Sequence, residues 1–257
     1  VRSRGLGDVY KRQVDTRYNW WGSATGPTYT AATGASVSVS NSEGTGENIT
    51  DRVTYYEWLY KSKSDVIADN ATYYCRVVNL SVGWNTLSTP IILDASGDTV
   101  DEVVDSAKIT IAYWYDTNDA DSDGIYWEQV TTGYELEPCD AIYIKMNATD
   151  SVLLKYNATD SSTPTKNLYA GWNLIGLANL ESKRVDYAVK SVANTSTNLP
   201  GYSQVISPSM NSSSWTYSSG QSYTNQDMLV GEGYWIYMQN ACTLAGFTIT
   251  PMQPSLD

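Results

Sequence analysis

The residues with the clearest capacity for chemistry form an acidic segment between two strand-like stretches. Asp119, Asp121 and Asp123 alternate along the chain, and Gly124 follows them directly. Short carboxylates at every second position can converge on one cation, and glycine permits the sharp turn that a calcium loop requires. The sequence therefore predicts a calcium site whose ligands are drawn from Asp116, Asn118, Asp119, Asp121, Asp123 and Glu128.

The pattern departs from a full EF-hand. Counted from Asp119, the position of the bidentate glutamate is occupied by Val130, so Glu128 would bind from an irregular place. The residues before the loop also resemble a strand rather than a helix. We therefore interpret the segment as a lengthened hairpin loop with a weak extracellular site, with a Kd on the order of 10⁻⁴–10⁻³ M. The alternative interpretation is a solvated acidic turn.

Other site chemistries are excluded or disfavoured by composition. The chain has no histidine, which excludes Ser/His and Cys/His catalytic pairs. Cys75, Cys139 and Cys242 lack metal-binding spacing, and one disulfide plus one spare thiol stays open. No pair of carboxylates recurs in a pattern that suggests glycoside hydrolysis, so we expect no enzyme activity. A net charge of −12 disfavours binding to nucleic acid or anionic membranes, and no apolar run is long enough to span a membrane.

Aromatic residues suggest a second type of site. The chain has 21 Tyr and 9 Trp against 1 Phe, a mixture that suits strands and half-exposed surfaces. Trp114, Trp127 and Trp215 are the candidates for carbohydrate binding. Trp84 and Trp172 occupy equivalent places in an internal repeat, and we interpret both as core residues.

Seven N-x-S/T sequons are about twice as many as chance predicts. They indicate N-glycosylation on an exposed secretory surface, at Asn48, Asn70, Asn79, Asn147, Asn157, Asn194 and Asn211.

An internal repeat organises most of the chain. Residues 79–85 (NLSVGWN) recur as residues 167–173 (NLYAGWN). Each copy continues with one short amphipathic helix, on Val100, Val103, Val104 and Ala107 or on Val185, Ala188, Val189 and Val192, and then with several strands. Thr99 and Glu102 form a capping box. The predicted fold is mainly β, with two tandem sandwich-like or barrel-like modules that each carry one short helix.

At these residues the chain resembles a module of archaeal and bacterial cell-surface proteins of the S-layer type, which opens with GWN and closes with a turn and a GYW strand. The second copy keeps both signatures, at residues 171–177 and 231–236. The first copy has Cys139-Asp140-Ala141-Ile142 where the module has glycine and an aromatic pair. The resemblance implies an extracellular structural or adhesive module without catalytic residues.

The residues before the repeat have a different character. Residues 19–27 (NWWGSATGP) and the later Trp58-Leu59 pair resemble the closing coil of a right-handed parallel β-helix. Residues 3–13 match one translated frame of a common sequencing adapter, so we expect a metagenomic source and authentic sequence from about Val14. A natural basic arm is the alternative. The predicted boundaries are 1–13 adapter, 14–66 β-helix end, 67–163 first module and 164–257 second module.

Two functions follow as expectations. The first is a glycosylated structural or adhesive element of a cell envelope, whose partners are glycans, other envelope proteins or further copies of itself. The second is a carbohydrate-binding accessory region of a β-helix enzyme that degrades polysaccharide. Both place the protein outside the cell, and calcium is the only cofactor that we predict.

Overall fold

A computed structural model of the chain describes residues 14–15, 21, 23–28, 44–48, 53–54, 58–59, 73–157, 163–192, 201–208 and 214–246. These residues are mainly β-structure, as predicted. They divide into two compact units, one within Val1–Val77 and one within Val78–Met252. Both repeat copies, from Val78 onward, lie in the second unit. None of the helices in this described part is long and apolar enough to cross a membrane.

The secondary structure of the described residues consists of short strands and two single-turn helices. The strands are β1 Val14–Asp15, β2 Pro27–Thr28, β3 Gly46–Asn48, β4 Val53–Thr54, β5 Trp58–Leu59, β6 Tyr73–Leu80, β7 Gly83–Ser88, β8 Ile109–Tyr115, β9 Trp127–Gln129, β10 Ala141–Met146, β11 Asp150–Asn157, β12 Thr165–Leu168, β13 Gly171–Gly176, β14 Lys183–Arg184, β15 Tyr202–Ser207, β16 Trp215–Ser218, β17 Asp227–Met228, β18 Gly233–Met238 and β19 Cys242–Ala245. The helices are α1 Val100–Val103 and α2 Val185–Ala188, and a 3-10 turn spans Ser106–Lys108.

The first unit contains short parallel pairs of strands. β1 pairs with β4 and β2 pairs with β3, both in parallel. The backbone N–H of Gly46 donates to the carbonyl of Gly26, which holds the second pair together. The identification of this segment as a β-helix end stays a prediction. The expected adapter, residues 1–13, lies outside the described residues.

The two copies of the repeat build the same four-stranded antiparallel sheet. The strand order is β7-β10-β8-β9 in the first copy and β13-β18-β15-β16 in the second. Strands β10 and β18 are central, and each pairs with the GWN strand on one side. Antiparallel neighbours put directly opposed residues on one face, so the pairing fixes which side chains share a surface.

One face of each sheet covers the core of its own copy. Ile142, Ile144 and Met146 of β10 are buried, and so are the equivalent residues Tyr234, Ile236 and Met238 of β18. The intervening residues of both strands face the other way because side chains alternate along a strand.

The predicted helices are present but short. Glu102 accepts hydrogen bonds from the hydroxyl and backbone N–H of Thr99, which confirms the capping box. The prediction that Ala107 continues the apolar face of this helix is wrong. The α-helix ends at Val103, and Ala107 is exposed in the following 3-10 turn. In the second copy all four predicted face residues are buried.

The GWN signature forms a chain corner. Gly83 and Gly171 both have φ of +100°, a conformation that favours glycine. The buried Asn85 side chain bonds to both backbone groups of Ser81 and to the carbonyl of Gly83, at 2.7–3.0 Å. Asn173 repeats these three bonds in the second copy. The asparagine therefore satisfies the backbone of the corner that leads into the GWN strand.

The two copies contact each other through equivalent residues. Ser88 donates its backbone N–H to the carbonyl of Gly231 at 3.0 Å, and Gly176 donates to Cys139 at 2.8 Å. Ser88 corresponds to Gly176 in the strand pairing, and Cys139 corresponds to Gly231. The exchange is therefore pseudo-twofold, with each copy donating once and accepting once.

Cys139 takes the place of a turn glycine. Its φ of +69° is close to the +88° of Gly231, so the departure of the first copy from the expected motif leaves the turn unchanged. Burial raises the pKa of this thiol to about 11, an effect reduced by the charge of Lys166 and a backbone hydrogen bond from Gly246. In the described part of the chain, Cys75, Cys139 and Cys242 form no disulfide with one another, although the sequence left one open.

Candidate functional site

The candidate site begins on the outward face of the first-copy sheet. In the strand pairing, Trp84 lies opposite Lys145, and Tyr143 lies opposite Tyr113. On the hairpin β8–β9, Trp127 lies opposite Tyr115. The alternation that buries Ile142 and Ile144 thus turns a set of aromatic side chains away from the core.

The second copy presents equivalent residues on its own outward face. Trp172 lies opposite Tyr237, and Trp235 lies opposite Ile206. Trp172 corresponds to Trp84, Trp235 to Tyr143 and Ile206 to Tyr113. Each copy therefore supplies one half of an aromatic surface.

The two halves meet in edge-to-face contacts. The Trp235 indole N–H donates to the Tyr143 hydroxyl at 2.8 Å. The ring centroid of Trp235 lies 4.9 Å from Tyr115 and 5.7 Å from Trp127, with interplanar angles of 81° and 78°. Such T-shaped pairs bring the positive edge of one ring to the negative face of another. These contacts hold the rings in fixed orientations at the boundary between the copies.

Two open cavities lie beside this cluster. The larger has a volume of about 540 Å³ and is lined by Trp84, Tyr113, Trp127, Tyr143 and Trp235. The smaller has a volume of about 330 Å³ and is lined by Tyr115, Trp127, Trp172, Ile206 and Trp235. Both volumes fall in the range of ordinary ligand sites. We refer to the two cavities together as the aromatic cleft.

The Lys145 ammonium lies beside the aromatic cleft, and the cleft itself carries phenolic hydroxyls. The Lys145 ammonium lies 5.9 Å from the centroid of the Trp84 ring. Burial raises the pKa of Tyr143, partly offset by the hydrogen bond from Trp235. Burial also raises the pKa of Tyr115, and the nearby Tyr126 adds to the effect. These phenols are therefore uncharged at neutral pH and can exchange hydrogen bonds with a ligand.

The structure separates the three predicted carbohydrate-binding tryptophans. Trp127 is 42% exposed and belongs to both cavities. Trp114 lies on the other face of its sheet, with its ring 6.2 Å from Tyr134. Trp215 stacks on buried Tyr234 at 5.5 Å. The structure therefore places only Trp127 in the cleft.

A one-residue difference in strand position explains why Trp127 lies in the cleft and Trp215 does not. Trp215 pairs with Ser207, the position equivalent to Trp114, whose own partner is Glu128. Trp215 thus corresponds to Glu128 rather than to Trp127. Because alternate residues of a strand face opposite sides, this offset moves Trp215 to the core face.

Sequence reasoning placed Trp84 and Trp172 in the core, and that interpretation is wrong. Trp84 is 39% exposed, and Trp172 is half-buried and lines the smaller cavity. Each tryptophan precedes the buried asparagine of the GWN motif, so alternation places it on the opposite face. Neither Tyr143 nor Trp235 was predicted as a site residue. Their position between buried residues of β10 and β18 is the signal that could have found them.

The acidic segment is a hairpin loop between β8 and β9, as predicted. Asp116 closes it with a backbone N–H bond to the carbonyl of Tyr126 at 2.9 Å. The carboxylates of Asp119, Asp121 and Asp123 lie within 4.8 Å of one another, so one cation could contact all three. Asp119 has φ of +47°, and its carboxylate accepts the backbone N–H of Gly124 at 3.1 and 3.2 Å within the loop.

The other predicted ligands contribute less directly. The Asp116 carboxylate accepts backbone N–H bonds from Asn118 and Ala120, at 3.0 and 2.8 Å, so it already stabilises the loop. Asn118 itself is exposed. One carboxylate oxygen of Glu128 is buried without a hydrogen-bond partner. Burial, followed by repulsion from Asp123 and the three other aspartates of the loop, raises the pKa of Glu128. Calcium binding at this loop stays a prediction.

Four of the seven sequons fall in the described part of the chain. Asn48, Asn79 and Asn147 are exposed, and Asn157 is half-buried. The Asn147 amide donates to the carbonyl of Ala107 at 3.0 Å, and the Asn79 carbonyl accepts from the hydroxyl of Ser151 at 3.0 Å. Asn70, Asn194 and Asn211 lie outside the described residues.

Comparison with known proteins found no similar protein. No protein-family model, no curated protein and no solved structure matches this chain.

Proposed function

We propose that this chain is a non-catalytic adhesive module of an extracellular, cell-surface protein, and that it binds carbohydrate in the aromatic cleft. The observation that carries the proposal is the larger cavity, where five aromatic side chains surround about 540 Å³. A sugar presents C–H groups that contact an aromatic face and hydroxyls that need polar partners. A cavity with apolar walls and a few fixed polar groups meets both needs.

The polar groups that such a ligand requires lie at the edges of the same sheet faces. Lys145 and Gln129 are exposed, and each is paired directly with an aromatic residue of the cleft, Trp84 or Tyr113. An ammonium group offers three donors, and an amide offers both donors and an acceptor. The cleft can therefore bind hydroxyl groups beside the ring faces.

A quaternary ammonium ligand is the other class that an aromatic cavity recognises. The Lys145 ammonium lies 5.9 Å from the Trp84 ring, so a second cation on that ring would meet a like charge. The local charge thus favours sugar over ammonium.

Trp127 is the residue to test, because it lines both cavities. The experiment is a glycan-array screen of the chain, followed by titration calorimetry with the strongest glycan. Loss of a central tryptophan costs about 2 kcal/mol, so Trp127→Ala should weaken binding by roughly thirtyfold.

Tyr187→Ala is the matched control. Tyr187 is 51% exposed and lies outside the residues that line the cleft. Its replacement should leave glycan affinity unchanged. An array without any bound glycan, or equal losses in the two variants, would refute carbohydrate binding at this cleft.

A further inference from the structure

The aromatic cleft is a pair of repeated cavities rather than one site. Its two cavities share Trp127 and Trp235. Trp84 and Tyr113 of the larger cavity correspond to Trp172 and Ile206 of the smaller one. Tyr143 of the larger cavity corresponds to the shared Trp235, and Tyr115 of the hairpin is the remaining residue of the smaller cavity. The internal repeat has therefore produced two related subsites side by side.

The rings that connect the subsites are evenly spaced. The centroid distances are 6.3 Å from Trp84 to Tyr143, 6.2 Å from Tyr143 to Trp235 and 6.3 Å from Trp235 to Trp172. The outer rings stand at 69° and 86° to their inner neighbours. Each subsite is thus a corner formed by two rings, which suits one sugar packed on a face and against an edge.

Charge disfavours both polyanionic and cationic ligands in the cleft. The chain has a net charge of −12, so polyanions are repelled over long range. The Lys145 ammonium beside Trp84 repels cations locally. An uncharged ligand avoids both penalties, and its hydroxyls can still accept hydrogen bonds from Lys145.

We infer that the cleft binds an uncharged oligosaccharide long enough to occupy both subsites at once. This inference rests on the proposed carbohydrate-binding function. A sugar chain already bound at one subsite reaches the second as an intramolecular event, which increases the overall affinity without new contacts elsewhere. A short sugar can fill only one subsite and lacks this gain.

The test is calorimetric titration of the full chain with neutral oligosaccharides of increasing length. We would use the β-1,4-linked series of glucose, xylose, mannose and N-acetylglucosamine, from one to six units. For the series that binds, the hexasaccharide should bind at least about tenfold more tightly than the disaccharide, since a second stacking contact contributes about 1.4 kcal/mol.

Two variants separate the subsites. Trp84→Leu and Trp172→Leu each keep an apolar side chain but remove one flat ring. Each should reduce the ratio of hexasaccharide to disaccharide affinity to within about twofold, because only one complete subsite is left. Tyr187→Leu should keep the ratio of the unmodified chain. Thermal melting of each variant checks that it is folded.

The outcomes distinguish this inference from the proposed function. If none of the series binds, the inference is refuted, whereas carbohydrate binding itself is decided separately by the glycan array. If disaccharide and hexasaccharide bind equally, the two-subsite inference is wrong and the proposed function stands. A loss of length dependence in only one of the two leucine variants would show a single subsite and also overturn the inference.

Discussion

Gly233 lies at a close approach of the two copies, and replacing it tests the contact between them. A Cβ atom at this position would lie 2.7 Å from the Cβ of Ala141 and 3.1 Å from the Cβ of Thr86. Ala141 is the equivalent of Gly233 in the first copy. The Gly233 backbone N–H also donates to the Thr86 hydroxyl at 2.9 Å. Gly233→Ala must therefore push one sheet away from the other.

The expected loss of stability follows from these distances. Overpacking a buried contact costs about 1–3 kcal/mol, and weakening the bond to Thr86 adds about 0.5–1.5 kcal/mol. The sum, about 1.5–4.5 kcal/mol, corresponds to a fall in Tm of roughly 3–18 °C for a compact unit of this size. The measurements are thermal melting and urea denaturation followed by tryptophan fluorescence.

The pseudo-twofold relation supplies a rescue and a control. The double variant Gly233→Ala/Ala141→Gly moves the methyl group from the first copy to the second. It should therefore recover most of the stability that Gly233→Ala loses. Gly97→Ala is the matched control, because a Cβ there meets nothing within 4 Å. Equal Tm values for Gly233→Ala and the Gly97→Ala control would show that this description of the contact is wrong. The same conclusion would follow if the stability changes of Gly233→Ala and Ala141→Gly were additive in the double variant.

Two further predictions concern metal and pH. Millimolar calcium should raise the Tm of the chain relative to its Tm in EDTA by mass action. The Asp121→Ala/Asp123→Ala variant should lose that response. Equal Tm values of the unmodified chain in both buffers would contradict the calcium site. Burial raises the pKa of Tyr134 to about 12 and also raises that of Tyr202 and Tyr234. Because these folded-state pKa values exceed the unfolded value of about 10, their stabilisation is complete below pH 10 and is lost as pH rises above it. Tyrosinate absorbance should therefore show these phenols titrating only with alkaline unfolding, and early titration in the folded chain would contradict their burial.

The sequence predicted the elements better than the surfaces. The spacing of Thr99 and Glu102 was enough to predict the helix start, because a capping box is a local interaction. The acidic loop was predicted as a hairpin loop because its signals, a strand-like stretch followed by aspartates and a glycine, are also local in the sequence. The side of the sheet on which Trp84 lies depends on alternation from Asn85, whose burial follows from the corner hydrogen bonds. Recurrence of a tryptophan in both copies does not distinguish a core role from a shared surface role.

Trp127 and Trp215 were both predicted to bind carbohydrate, and they lie on different faces of their sheets for a related reason. Trp127 is the first residue of β9 and Trp215 is the first residue of β16. The loop between β8 and β9 differs in length from the loop between β15 and β16. Loop lengths give no strand register, and a register change of one residue reverses every side chain. The contact between the copies could not be predicted either, because it joins residues such as Ser88 and Gly231 that are distant in sequence.

The contact that joins the copies also positions the aromatic cleft. Ala141 and Tyr143 are two residues apart on β10, and Gly233 and Trp235 are two residues apart on β18, so each pair shares one face of its strand. The close approach of Ala141 and Gly233 brings the next pair near enough for the Trp235 indole to reach the Tyr143 hydroxyl at 2.8 Å. A side chain at Gly233 would separate both pairs, so stability and ligand affinity should fall together. Because the cleft is formed between the copies, the structural role of the repeat and its proposed adhesive role depend on the same contact.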